Sequence, residues 1–266
     1  MQIKPIIRRL VLVSVMAVLA MSATAQAVTG NHQAKEIIDS LFGGKGLAPI
    51  NDLIVEIDCT KKDANTGQMM LASKDKVYFK APNKLRTDAV IQAPGDPLDQ
   101  RQLIFIRDGK TACHYLSTGQ YPVKKAPDLP SPTSVLPFSL QRYPIDETKS
   151  YEFGEQRVLD GVTTREIIIK NPQDPKDERH IFVDPARRVP MLMEFTRTYD
   201  KDPVKVTVEY GSFNKLSDGR HFPFLIKIYE NGQLSKVYAY KGVNINVGLD
   251  DSLFQHMTSS MTQPAR

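Results

Sequence analysis

The sequence predicts a mainly β domain of ten to twelve antiparallel strands, and three observations predict it. Apolar and polar residues alternate with a period of two from Leu53 onward. The alternating runs are separated by turn dipeptides such as Asp108-Gly109, Asp160-Gly161 and Asn231-Gly232. The links between them hold none of the crossover helices that a parallel sheet requires, which excludes doubly wound enzyme folds. A single sheet of that size must curl or split.

The chain opens with Lys4, Arg8 and Arg9, continues with the apolar run Leu10 to Met21, and reaches Ala25-Gln26-Ala27. This is the three-part form of a secretory signal, with cleavage expected after Ala27. The run has 12 residues, against about 20 for a membrane span. No cysteine stands at the cleavage site to carry a lipid, so the expected product is a soluble, exported, single domain of residues 28–266. Without the three basic residues of the signal, 32 Lys and Arg face 30 Asp and Glu. The two signs alternate along the chain, which excludes a nucleic-acid footprint. The two cysteines, Cys59 and Cys113, would meet an oxidising compartment. In a plain meander they lie about 20 Å apart, so a bridge requires a curled sheet or another strand order.

Ala34, Ile37, Ile38, Leu41 and Phe42 form one stripe of an amphipathic helix, stopped by Gly43-Gly44. Its stripe is wide enough to close one opening of a curved sheet. In the first strand Leu53, Val55, Ile57 and Cys59 should face inward. Strands are expected next at 68–80, 84–91, 102–107 and 111–116. Between Tyr121 and Pro144 six prolines interrupt both strand and helix, yet Val135, Leu136, Phe138 and Leu140 are apolar. Such a segment is either pinned onto the core or a flap over an opening. Strands resume at 151–153, 157–159, 162–170, 180–184 and 189–198. Met191, Met193 and Phe195 are expected on one face of the last, as core or as adaptable apolar surface.

From Val204 to Phe254 strand follows strand. A two-residue turn at Asn231-Gly232 places Tyr229 opposite Leu234, Ile228 opposite Ser235, Lys227 opposite Lys236, Ile226 opposite Val237 and Phe224 opposite Ala239. Phe224, Ile226, Ile228 and Val237 are then inward and the two lysines wet. Large residues opposite small ones leave gaps, filled by a second layer or by a ligand.

The five histidines are scattered without metal-ligand spacing, and phosphate loops, nucleophile elbows and dinucleotide fingerprints are missing. The acidic groups Asp174, Asp177, Glu178 and Asp200, Asp202 read as ordinary turns. The sequence therefore gives no support for an enzyme, a metal site or a cofactor.

Several short motifs resemble the periplasmic lipoprotein-carrier family LolA and its LolA-like relatives. They are Phe79-Lys80-Ala81-Pro82 before Lys84-Leu85-Arg86, Ile106-Arg107-Asp108-Gly109, and His180-Ile181-Phe182-Val183-Asp184. The ending adds Asp218-Gly219, Phe222-Pro223, Val243-Asn244-Ile245-Asn246-Val247 and Leu249-Asp250-Asp251-Ser252-Leu253-Phe254. The resemblance implies a strongly curved, incomplete antiparallel β-barrel with a helix and a short apolar lid, enclosing a cavity for acyl chains. Carried onto this chain, the cavity is lined by Leu53, Val55, Ile57, Phe79, Leu85 and Phe105 in the first half. In the second half it is lined by Met191, Met193, Phe195, Val208, Phe224, Ile226, Ile228 and Val237. Leu136 and Phe138 reach in from the lid, formed with Val135 and Leu140. The implied protein is a periplasmic monomer that takes lipid or lipoprotein acyl chains from an inner-membrane donor to an outer-membrane acceptor, with no nucleic acid, metal or cofactor. The alternative is a non-catalytic envelope module that uses the curved sheet to bind or sense another protein. One position departs from the family: the basic residue before the proline is here Ala81, and Lys80 points to the opposite face.

Overall fold

The computed structural model describes residues 32–41, 49–93, 96–116, 119–120, 124–125, 148–199 and 202–256. Helix α1 covers 32–41. The strands of the first half are β1 Asp52–Lys62, β2 Met69–Lys80, β3 Lys84–Ala93, β4 Asp96–Arg107, β5 Thr111–Leu116 and the two-residue β6 Gly119–Gln120 and β7 Lys124–Lys125. Those of the second are β8 Ser150–Leu159, β9 Val162–Asn171, β10 Asp174–Asp184, β11 Val189–Tyr199, β12 Asp202–Lys215, β13 His221–Glu230 and β14 Gln233–Ile245. A 3-10 turn at Asp251–Phe254 follows.

All strands belong to one antiparallel sheet in the order β6-β5-β4-β3-β2-β1-β14-β13-β12-β11-β10-β9-β8, with β7 also on β5. The chain walks outward from β1, restarts at the far edge with β8, and walks back until β14 pairs with β1. There Leu53 faces Ile245 and Val55 faces Val243. The proline-rich stretch thus belongs to the connection between the two free edges. Apart from this central pairing and that of β7 with β5, every pair joins strands consecutive in sequence.

The sheet curls. Leu85 on β3 and Tyr151 on β8 are 2% and 5% exposed and share one apolar cluster. Nine strand spacings separate them, about 43 Å if the sheet were flat. A helix of ten residues is only about 15 Å long, so α1 covers a fraction of that width and the sheet must wrap its own face. It does not close, because β6 and β8 remain edges.

Three expectations need correction. The hairpin turn is as read, with Asn231 and Gly232 both at positive φ and Tyr229 opposite Leu234. The ladder then slips at Ser235, so Ile228 faces Lys236, Lys227 faces Val237, Ile226 faces Tyr238 and Leu225 faces Ala239. The bulge separates two like charges and turns Tyr238 and Tyr240 inward, where burying a large side chain contributes about 1.5–3 kcal/mol. Val237 accordingly lies on the outer face, and the supposed gaps opposite small residues do not exist. Second, the segments 151–153 and 157–159 form one continuous strand, β8. Third, Asp174, Asp177 and Glu178 start β10 instead of forming a turn, and Asp177 pairs with Lys149 at 2.8 Å. Cys59 and Cys113 are free and buried, with β2, β3 and β4 between their strands, the separation that a plain meander implies.

Candidate functional site

The concave face is apolar along most of its length. Val206, Val208 and Tyr210 of β12, Ile226 of β13, Met193 of β11, Ile181 of β10 and Ile167 of β9 share the cluster with Leu53, Val55 and Ile57 of β1. Ala34, Ile38 and Leu41 of α1 press into the same cluster, as the spacing of that stripe predicts. Burial pushes the phenols of Tyr210 and Tyr240 upward, so both are neutral, weakly polar parts of the wall.

The residues expected to line a cavity fall into three groups. Leu53, Val55, Ile57, Leu85, Met193, Val208 and Ile226 are buried in the main cluster. Phe79, Phe105, Phe195, Phe224 and Ile228 are half-buried against it, and leave apolar surface that a ligand can still cover. Met191 and Val237 stand apart. Met191 sits where the β10–β11 ladder slips with its sulfur 3.6 Å from Arg187 Nη2, outside the main cluster, and Val237 faces outward. The proposed lid residues Val135, Leu136, Phe138 and Leu140 lie outside the described residues.

Inward-facing polar groups that the sequence reading missed gather at one end of the face. Cys59 is opposite Tyr238 and Ser73, Ile57 is opposite Asp75, and Lys61 is opposite Lys236. Asp75 Oδ1 is buried without a hydrogen-bond partner, and burial pushes its carboxyl upward against the opposing pull of Ser73. Burial likewise raises the Cys59 thiol and pushes the Tyr238 phenol up to about 12. Extending the alternation of Leu53 to Cys59 by one step would have found Lys61. Asp75 sits two residues before the buried Val77 by the same rule.

On the outer face a cleft of about 830 Å³ surrounds His180. Its Nδ1 lies 2.7 Å from Glu166 Oε1 and its Nε2 2.9 Å from Glu178 Oε1. The other Glu166 oxygen accepts from Glu155 N at 2.8 Å, against Gly154, where a Cβ would stand 1.8 Å from that carboxylate. With both ring nitrogens on carboxylates, His180 is not poised to activate a nucleophile. His256 Nε2 contacts both Thr111 Oγ1 and Asp108 Oδ2, while its Nδ1 is buried without a partner. A relay needs base and orienting acid on different nitrogens, so this group fastens the carboxy-terminal segment instead.

No family model and no curated protein matches the chain. Solved structures do. A DUF1329 family protein from Desulfovibrio piger aligns with a TM-score of 0.58 at 10% identity, over 85% of this chain and 98% of that one. A domain described as outer membrane lipoprotein-sorting, from Vibrio parahaemolyticus, gives 0.54 at 12% identity over 84% and 97%. A LolA superfamily protein from Nitrosomonas europaea gives 0.53 at 12% identity over 85% and 98%. This chain has the LolA-type fold. On it, Lys80 is accounted for: its Nζ donates to Leu249 O at 2.7 Å and Asp251 Oδ1 at 2.6 Å. That charge therefore holds the carboxy-terminal turn on the outer face. No helix among the described residues is long and apolar enough to cross a membrane.

Proposed function

We propose that the protein, exported to the periplasm and freed of its signal after Ala27, carries acyl chains of a lipid or lipoprotein on the concave face and moves them across the envelope. The observation that supports this is the face itself: an open LolA-type sheet, apolar from β4 to β8, with Phe79, Phe105, Phe195, Phe224 and Ile228 only half-buried along it. Val135, Leu136, Phe138 and Leu140 act as the cover. An inner-membrane donor and an outer-membrane acceptor are the partners this role requires, and the carrier works as a monomer without metal or cofactor. A chain laid along the face should bind more tightly with length, by up to about 0.8 kcal/mol per buried methylene, until the space is full.

A second reading is a non-catalytic envelope module that binds a protein through its outer face. The cleft around His180, with Glu166, Glu194, Arg157 and Lys205 on its walls, favours it. Binding of an acyl probe series, measured together with thermal unfolding of Phe224→Trp and Met193→Trp, separates the two. A carrier binds the probe in proportion to chain length, and Phe224→Trp blocks it with little change in stability. A filled core binds nothing, and both variants lose about 1–3 kcal/mol from overpacking.

A further inference from the structure

We propose that the polar end of the concave face is a subsite for the anionic group of an acyl-bearing amphiphile, a phosphate or a carboxylate, held by Lys61 and Lys236. This deepens the acyl-carrier reading and rests on it. Lys61 on β1 and Lys236 on β14 are direct register partners, so both side chains leave the inner face from one rung of the ladder, Lys236 with its Nζ 5.6 Å over the Tyr238 ring. Like charges placed directly opposite one another destabilise a ladder. Several other cations of the sheet reach an acid: Lys76 meets Glu56 at 2.9 Å, Lys170 meets Glu152 at 2.8 Å and Arg197 meets Glu230. Among the described residues Lys61 and Lys236 have no carboxylate within ion-pair distance.

The nearby acids are otherwise engaged. Glu230 is on Arg197. Asp63 caps its own loop through the amides of Asn65 and Thr66 at 3.0 and 2.7 Å. Burial shifts the Asp75 carboxyl upward, with Ser73 and the more distant charge of Lys61 pulling the other way, and it makes no ion pair with either lysine. The two lysines border a cleft of about 650 Å³ between the β1–β2 loop and the β13–β14 hairpin, with Lys62 beside them. Apolar surface begins at once beside the pair, since Met70 is the β2 partner of Lys61 and Ile228 the β13 partner of Lys236. Two cations at the entrance of an apolar face suit a head that carries charge and a tail that does not.

The test is calorimetric titration of the mature full-length protein with three probes below their aggregation limits: dodecyl phosphate, an uncharged dodecyl ether, and inorganic phosphate. Dodecyl phosphate should bind about tenfold more tightly than the ether at low salt, an advantage of about 1.4 kcal/mol that added salt reduces. In Lys61→Gln/Lys236→Gln the advantage should shrink to about twofold or less while the ether binds as before. Thermal unfolding should show the double variant at least as stable as the parent, since the opposed charges are gone. If it is not, each single substitution should remove part of the advantage. Equal binding of phosphate and ether by the parent, or an advantage undiminished in every lysine variant, would overturn the subsite and leave the carrier reading intact. Failure of both dodecyl probes to bind would remove the carrier reading and the subsite with it. Inorganic phosphate binding as tightly as dodecyl phosphate would identify a site for free anions and overturn the amphiphile assignment.

Discussion

Asp52 opens β1, and its carboxylate collects the chain that leaves β14. It accepts from Val247 N at 2.7 Å, Gly248 N at 3.0 Å and Leu249 N at 3.3 Å. Replacing it by alanine strands three amides. A hydrogen bond to a charged group contributes about 1.5–3 kcal/mol net. Val247 and Gly248 are exposed, so water replaces most of what they lose, whereas Leu249 is 8% exposed and its amide stays dry. Asp52→Ala should therefore cost about 3 kcal/mol, one full bond and two discounted ones. Asp52→Asn keeps a carbonyl acceptor and should cost about half as much. Urea unfolding measures both, with the midpoint falling and the slope unchanged. Asp63 offers a control, because it also accepts three hydrogen bonds but only within its own exposed loop, and Asp63→Ala should cost clearly less. A loss below about 1 kcal/mol for Asp52→Ala, or equal losses for alanine and asparagine, would refute the reasoning.

Three further outcomes are expected. Hydrogen bonds from Lys80 and then Lys84 hold the Asp251 carboxyl at about 2, below its unfolded value of 3.8. The stability it contributes is therefore present above pH 4 and lost as pH falls toward 2. Asp251→Asn should flatten the thermal midpoint over that window and leave the slope above pH 5 unchanged, and a change confined to neutral pH would contradict the pairing. Asp75 is shifted the other way by burial, so folding binds its proton more tightly and stability declines as pH rises past the unfolded value. Asp75→Asn should raise stability at pH 7 by about 1 kcal/mol and leave it nearly unchanged at pH 3; a loss at pH 7 would mean that Oδ1 has a partner. The bulge at Ser235 predicts that Ile226→Asp costs several kcal/mol while Val237→Asp, beside Lys227 on the outer face, costs about 1 kcal/mol or less. Similar losses from the two would return Val237 to the interior.

What the sequence made legible was local. The stripe from Ala34 to Leu41 and the alternation in β1 follow from geometry that a few neighbouring residues determine, and both stand as read. The Asn231-Gly232 turn dictated its first cross-strand pairs and no more. A one-residue bulge costs little locally, and the burial of Tyr238 and Tyr240 decides it, which needs knowledge of what lies across the sheet. The opposition of Lys227 and Lys236 was itself a sign of a wrong register. The pairing of Leu53 with Ile245 joins residues nearly two hundred positions apart, and turn chemistry is silent at that range. The polar end of the face escaped for a different reason: Lys61, Asp75 and Lys236 look like solvent-facing residues until strand parity and curvature turn them inward.

The central claim is that the concave face holds acyl chains, and native mass spectrometry of the protein isolated from the envelope without detergent tests it most directly. The account predicts a species heavier than the mature chain by the mass of one acyl-bearing molecule, released on activation as a lipid or lipopeptide and lost in Phe224→Trp. A spectrum of the bare chain alone, from protein that also fails to bind any acyl probe at any chain length, would contradict it.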